Sequence, residues 1–150
     1  MLRKLVERSQ IKSPWVFHLR TGSCSGCDVE IKSILGSKFD VEKYGIKFIN
    51  NPNQANIILV TGCITLNSKS KDRVLDILTK IPDPKAIIAV GTCSLSCGVF
   101  SDSYAVEGPL SRWINVDINL AGCPPKPNAI LESILEAGNL LNKRREELVK

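Results

Sequence analysis

Two short runs constrain the fold more than anything else in the chain. Asn56-Ile57-Ile58-Leu59-Val60-Thr61 and Lys85-Ala86-Ile87-Ile88-Ala89-Val90 are apolar almost without interruption. A strand with one wet face alternates polar and apolar residues. A strand that is apolar throughout is buried on both faces, as the central strands of a parallel sheet are. Parallel neighbours need helical crossovers, and the sequence supplies candidates. Apolar residues at 31, 34 and 35 predict a helix over 28–35, and those at 74, 75, 78 and 81 a helix over 71–81, with Ser70 as its N-cap. Residues 130, 131, 134, 135 and 141 predict a helix over 128–141, which the charged tail either continues or frays from. Gly36 and Pro82-Asp83-Pro84 stop the first two helices. Further strands are predicted over 15–19, 43–49 and 115–118, while 99–112 shows little regular pattern. The expected fold is α/β: a flavodoxin-like open parallel sheet of four to five strands with flanking helices. Right-handed crossovers put every strand's C-terminal end on one edge. A strand order of 2-1-3-4-5 would set the first, third and fourth strands together. With 150 residues, one domain over 13–141 is expected, between an N-terminal arm (1–12) and a charged tail (142–150).

The six cysteines, at 24, 27, 63, 93, 97 and 123, each follow a predicted strand. No apolar run reaches the roughly 18–20 residues of a membrane span, and Met1–Lys12 lacks a signal pattern. A chain folding in the reducing cytoplasm disfavours disulfides, which leaves metal, cluster or thiol chemistry. Cys24 and Cys27 flank Ser25-Gly26, Cys93 follows Gly91-Thr92, and Cys123 sits between Gly122 and Pro124-Pro125. The resulting pattern, C-x2-C-x65-C-x29-C, suits one [4Fe–4S] cluster. Thiolates are soft enough for iron, and glycines let backbone N–H groups approach the sulfurs. A thioredoxin-like dithiol would leave Cys93 and Cys123 without a role. A four-cysteine zinc scaffold is an alternative, although such sites usually use two short knuckles. Cys63 and Cys97 read as small buried hydrophobes lining the pocket, or as substitutes for a ligand on the same edge. Asp28 reads as a helix-start residue, His18 as a core residue or a neighbour of the ligands, and Tyr104 and Trp15 as ordinary packing, with lining of a partner interface as the alternative. The net charge of +5 lies partly in the termini. The basic residues are scattered without aromatic interleaving, so nucleic-acid binding is not indicated. Neither GxxxxGK[ST] nor GxGxxG occurs, so nucleotide binding is not indicated either.

Four segments carry a family resemblance: SPWVFHLRTGSCSGCDVEI (13–31), PKAIIAVGTCSLSCGVF (84–100), SYAVEG (103–108) and AGCPPKPNAIL (121–131). In this order they resemble the small subunit of membrane-bound, energy-converting [NiFe] hydrogenases, a group related to the 20 kDa iron–sulfur subunit of respiratory complex I. The resemblance implies one [4Fe–4S] cluster on Cys24, Cys27, Cys93 and Cys123, next to the active site of a large partner subunit. It implies an electron-transfer subunit of an oxidoreductase with no catalytic residue of its own, peripheral on the cytoplasmic side of the cell membrane. The partners implied are the large subunit, a further iron–sulfur subunit and integral membrane subunits. It also implies that Glu30 faces the partner and assists proton movement. Arg20, from its place before the first cysteine loop, reads as an ordinary solvated arginine, or as one that offsets cluster charge or pairs across an interface. The CSGC spacing matches hydrogenase-type subunits, whereas complex I subunits typically have adjacent cysteines there. Quinone-reducing and sulfur-reducing complexes are therefore the alternatives, and sulfur-reducing relatives share the spaced motif. The chain departs from the family at Cys97, commonly a glycine, and at Cys63, usually not a cysteine.

Overall fold

The computed structural model describes residues 13–66 and 70–149. The expected arm over 1–12 lies outside them, as does the side chain of Ser70. Strand β1 (Trp15–Arg20) leads into helix α1 (Gly26–Ser33). Next come β2 (Lys47–Ile49), β3 (Ile57–Thr61), the short β4 (Ile64–Thr65) and helix α2 (Ser70–Lys80). Strand β5 (Ala86–Val90) leads into a one-turn helix α3 (Thr92–Ser96), followed by β6 (Val106–Gly108), β7 (Ile118–Leu120) and helix α4 (Pro127–Val149).

The main sheet is parallel throughout, in the order β2-β1-β3-β5-β7. Counting only its own five strands, this is the expected 2-1-3-4-5 arrangement. Strands β3 and β5 are buried at every position. Their alternation divides the core into two layers. Ile57, Leu59, Ile88 and Val90 pack with Ile31 of α1, with Ile34 just after that helix, and with Ile130 and Ile134 of α4. Ile58, Val60, Ile87 and Ala89 pack with Val74 and Leu78 of α2 and with Leu110.

Local chemistry shifts several boundaries. Helix α1 begins two residues earlier than expected because Ser25 adopts a left-handed conformation (φ 72°) as its N-cap. It also stops earlier, where the Ser33 hydroxyl donates back to the Glu30 carbonyl (2.7 Å). The first half of the expected second strand is instead a 3-10 turn, Val41–Tyr44, closed by left-handed Gly45. The last strand starts at Ile118, because Asp117 already clamps Ile87: its N–H donates to the Ile87 carbonyl (2.9 Å) and its carboxylate accepts from the Ile87 N–H (2.8 Å). Beyond 141 the charged segment continues α4. Arg144 donates to the Lys85 carbonyl (2.7 Å) and pairs with Asp117, tying that end of the helix to the sheet. The 99–112 segment, expected to lack pattern, supplies β6, which pairs antiparallel with β4.

Ile134 is wholly buried between α4 and the sheet. Ile134→Ala should cost about 2–5 kcal/mol of unfolding free energy, read from the midpoint of urea denaturation. A loss well under 1 kcal/mol would contradict the packing described.

Candidate metal centre

The sheet delivers all six cysteines to one edge. Cys24 and Cys27 follow β1, Cys63 follows β3, Cys93 and Cys97 follow β5, and Cys123 follows β7. Their settings differ. Cys24 and Cys123 are exposed, Cys27 is half-buried, and Cys63, Cys93 and Cys97 are buried.

Backbone hydrogen bonds sew the loops together. The Gly91 N–H donates to the Leu120 carbonyl (2.8 Å) and the Thr92 N–H to the Gly122 carbonyl (2.9 Å), which joins the Cys93 and Cys123 loops. The Gly22 N–H donates to the Cys63 carbonyl (2.8 Å), which joins the first and third loops. Two glycines make this closeness possible. A Cβ on Gly91 (φ +88°) would lie 2.6 Å from Cys27 Sγ, and one on Gly62 (φ +94°) would lie 2.6 Å from the Ser23 nitrogen. Both positions also require a backbone conformation that side chains disfavour.

The thiols sense one another. Cys27 is pushed up to about 11, first by burial and then by Cys93, Cys24, Asp28 and Cys123. Cys93 is raised by burial and then by Cys63, Cys123 and Cys24. Gathering four thiolates here without a cation is therefore unfavourable, and a bound metal centre would supply the missing positive charge. The donor set and the Gly91 cradle against Cys27 Sγ fit a cluster. Among the described residues, no group of three or more His, Cys, Asp or Glu side chains is placed to hold a metal ion. One zinc ion would need sulfurs about 3.8 Å apart, given Zn–S bonds of about 2.3 Å. A cubane spreads its four cysteines over four irons.

Cys63 and Cys97 are 1% and 3% exposed. The Cys63 thiol donates to the Gly22 carbonyl (3.5 Å), and the two thiols lie within hydrogen-bonding reach of each other. Burial raises both thiols. Glu30 is half-buried on α1. Tyr104, expected to pack, is 94% exposed, because it stands in the loop just before β6.

A carboxylate read from the sequence as a helix-start residue proves to be central. Asp28 is 3% exposed. Its Oδ1 accepts from the Thr61 hydroxyl (2.9 Å) and lies 3.2 Å from His18 Nε2. Since the Thr61 proton points at Asp28, His18 Nε2–H is the donor in the 3.0 Å His18–Thr61 contact. Burial lowers the His18 pKa, and the negative charge of Asp28 partly opposes that. Arg20 Nε stands 2.6 Å from Asp28 Oδ2, an ion pair whose N–H is not well aimed at that oxygen. Arg20 Nη2 donates to Ser25 Oγ (2.7 Å), inside the spacer between Cys24 and Cys27. Arg20, expected to offset cluster charge or pair across an interface, makes these two contacts within the chain. The available signal was the two-residue spacing of His18 and Arg20, which puts both on one face of β1.

The family described as NADH ubiquinone oxidoreductase, 20 kDa subunit, matches residues 24–137, a span that contains all four ligand candidates. A probable membrane-bound hydrogenase subunit of Pyrococcus furiosus is 44% identical over 132 residues, covering 88% of this chain and 78% of the relative. An uncharacterized protein of Methanocaldococcus jannaschii is 39% identical over 150 residues, covering 100% of this chain and 97% of the relative. Among solved structures, a chain of an archaeal respiratory complex, the membrane-bound sulfane sulfur reductase, superposes with a TM-score of 0.76 at 29% identity. That match covers 93% of this chain and 76% of the other.

Two substitutions test the site's framework. Gly91→Ala should lower stability by about 1 kcal/mol or more in a denaturant titration, because its methyl meets Cys27 Sγ. An unchanged midpoint would contradict the close approach of these two loops. Thr61→Val removes a donor from a buried carboxylate and should cost about 1–3 kcal/mol in a denaturant titration. A neutral result would mean that the carboxylate does not depend on this hydroxyl.

Proposed function

The chain belongs to the NADH ubiquinone oxidoreductase 20 kDa subunit family, and from that premise we propose that it is the electron-transfer subunit of a membrane-bound [NiFe] hydrogenase complex. In this reading Cys24, Cys27, Cys93 and Cys123 hold one [4Fe–4S] cluster. The observation that carries it is the joining of three loops at one sheet edge, where Cys27 Sγ lies against the Gly91 backbone and the Cys93 and Cys123 loops share hydrogen bonds. The 44% identity to the Pyrococcus hydrogenase subunit supports the hydrogenase assignment.

When bound, such a cluster takes up and releases single electrons. The work of this chain is position and potential. The four thiolates fix the site between buried strand ends. Gly91 lets the backbone approach the sulfur closely. The first N–H groups of α1 have no intrahelical acceptor and favour added negative charge at the Cys24–Cys27 loop. Exposed Cys24 and Cys123 place the outer side of the site at the protein surface, where a large catalytic subunit would meet it. A neighbouring iron–sulfur subunit would exchange electrons with it, and integral membrane subunits would hold the assembly at the cytoplasmic side of the cell membrane. Among the described residues, no helix is long and apolar enough to cross a membrane, so membrane attachment in this reading comes through those partners. Glu30, one turn beyond Cys27, is assigned to the partner-facing side, where it would assist proton movement. Cys63 and Cys97 are assigned to buried packing beside the site.

The second reading keeps the cluster and changes the complex. The similarity to a sulfane sulfur reductase chain favours a sulfur-reducing assembly, and the family description favours a quinone reductase. A non-redox zinc scaffold is disfavoured, because structural zinc sites usually use two short knuckles, whereas Cys93 and Cys123 are single and distant in sequence.

Electron paramagnetic resonance of the reduced intact complex should show a [4Fe–4S] signal that is lost in Cys24→Ser and Cys123→Ser and kept in Cys63→Ser and Cys97→Ser. An unchanged signal in the first pair would refute the ligand assignment. Hydrogen evolution by the same preparation separates the hydrogenase reading from its relatives.

A further inference from the structure

Asp28 belongs to none of the proposed ligands, yet it organises the loop that carries two of them. It lies on α1 immediately after Cys27 and is buried. A buried carboxylate persists as an ion only where charge and hydrogen bonds compensate it. Here the compensation comes from three residues. Thr61 donates from the end of β3, and His18 and Arg20 approach from β1. Arg20 then reaches onward to Ser25. One carboxylate thereby fixes the start of α1 against two strand ends, and one guanidinium fixes the spacer between two cysteines.

The same charges reach the sulfurs. Asp28 is the residue directly after Cys27, and Arg20 Nη2 bonds Ser25 inside the Cys24–Cys27 spacer, so both charges stand beside the ligand loop. Reducing a cluster by one electron adds one negative charge at the site. A fixed anion nearby opposes that step, and a fixed cation favours it. The guanidinium is the more solvent-exposed member, with 56% of its side chain exposed against 4% for Asp28, so its effect is the more screened of the two.

We propose that the Asp28–Arg20 pair, seated on Thr61 and His18, is the positioning unit of the Cys24–Cys27 loop and sets the reduction potential of the cluster held there. This rests on the reading of Cys24, Cys27, Cys93 and Cys123 as ligands.

The test is a redox titration of the intact complex, following the cluster's paramagnetic signal in wild type, Asp28→Asn, Arg20→Gln and the double variant. Asparagine keeps the acceptor for Thr61 and removes the charge. The midpoint should move upward in Asp28→Asn and, by less, downward in Arg20→Gln, with the double variant returning toward wild type. A purely structural role would broaden or deplete the signal in both single variants without opposite shifts. Unmoved midpoints, or midpoints that move in the same direction, overturn the proposal. Should Asp28→Asn lose the cluster, the downward shift in Arg20→Gln decides alone, since that side chain is largely exposed and its loss is tolerable for folding. A wild-type signal that survives Cys24→Ser overturns the underlying ligand reading instead.

Discussion

Burial of β3 and β5 on both faces is the constraint on which the rest of the structure depends. Strands so enclosed can present chemistry only at their ends. Because the sheet is parallel, those ends share one edge. Cysteines separated by as many as 98 residues in sequence, from Cys24 to Cys123, thus reach one edge without any local motif joining the loops. The two apolar layers, one against α1 and α4 and one against α2, hold that edge rigid. The loops can then stay short and glycine-rich while the strands beneath them set their positions.

A second balance is electrostatic. Thiols are brought close in a partly desolvated edge, which raises Cys27 and Cys93 and makes a set of bare thiolates costly. A buried carboxylate next to Cys27 adds to the local negative charge. Against this stand Arg20, the N-terminal N–H groups of α1 and the positive charge that a metal centre would bring. In the proposed reading a cation-rich group completes this balance, while the framework of Thr61, His18 and Ser25 keeps the loop in place.

Much of this was legible in the sequence, for physical reasons that differ from element to element. Continuous apolar runs identify β3 and β5 because a strand buried on both faces leaves no position for a polar residue. The placement of cysteines after strands was visible for the same reason. The role of Asp28 was hidden because its partners, Thr61, His18 and Arg20, come from two strands and meet only after folding. The β4–β6 pairing was hidden because two- and three-residue strands carry no readable alternation. The start of α1 was misplaced because a serine, rather than a glycine, takes the left-handed conformation at residue 25.

The central claim is that this edge holds a four-iron cluster. Its most direct measurement is metal and acid-labile sulfide analysis of this subunit, isolated without oxygen from its complex. The account predicts iron and sulfide in equal amounts, about four of each per chain. A single zinc per chain, with neither iron nor sulfide, would contradict it.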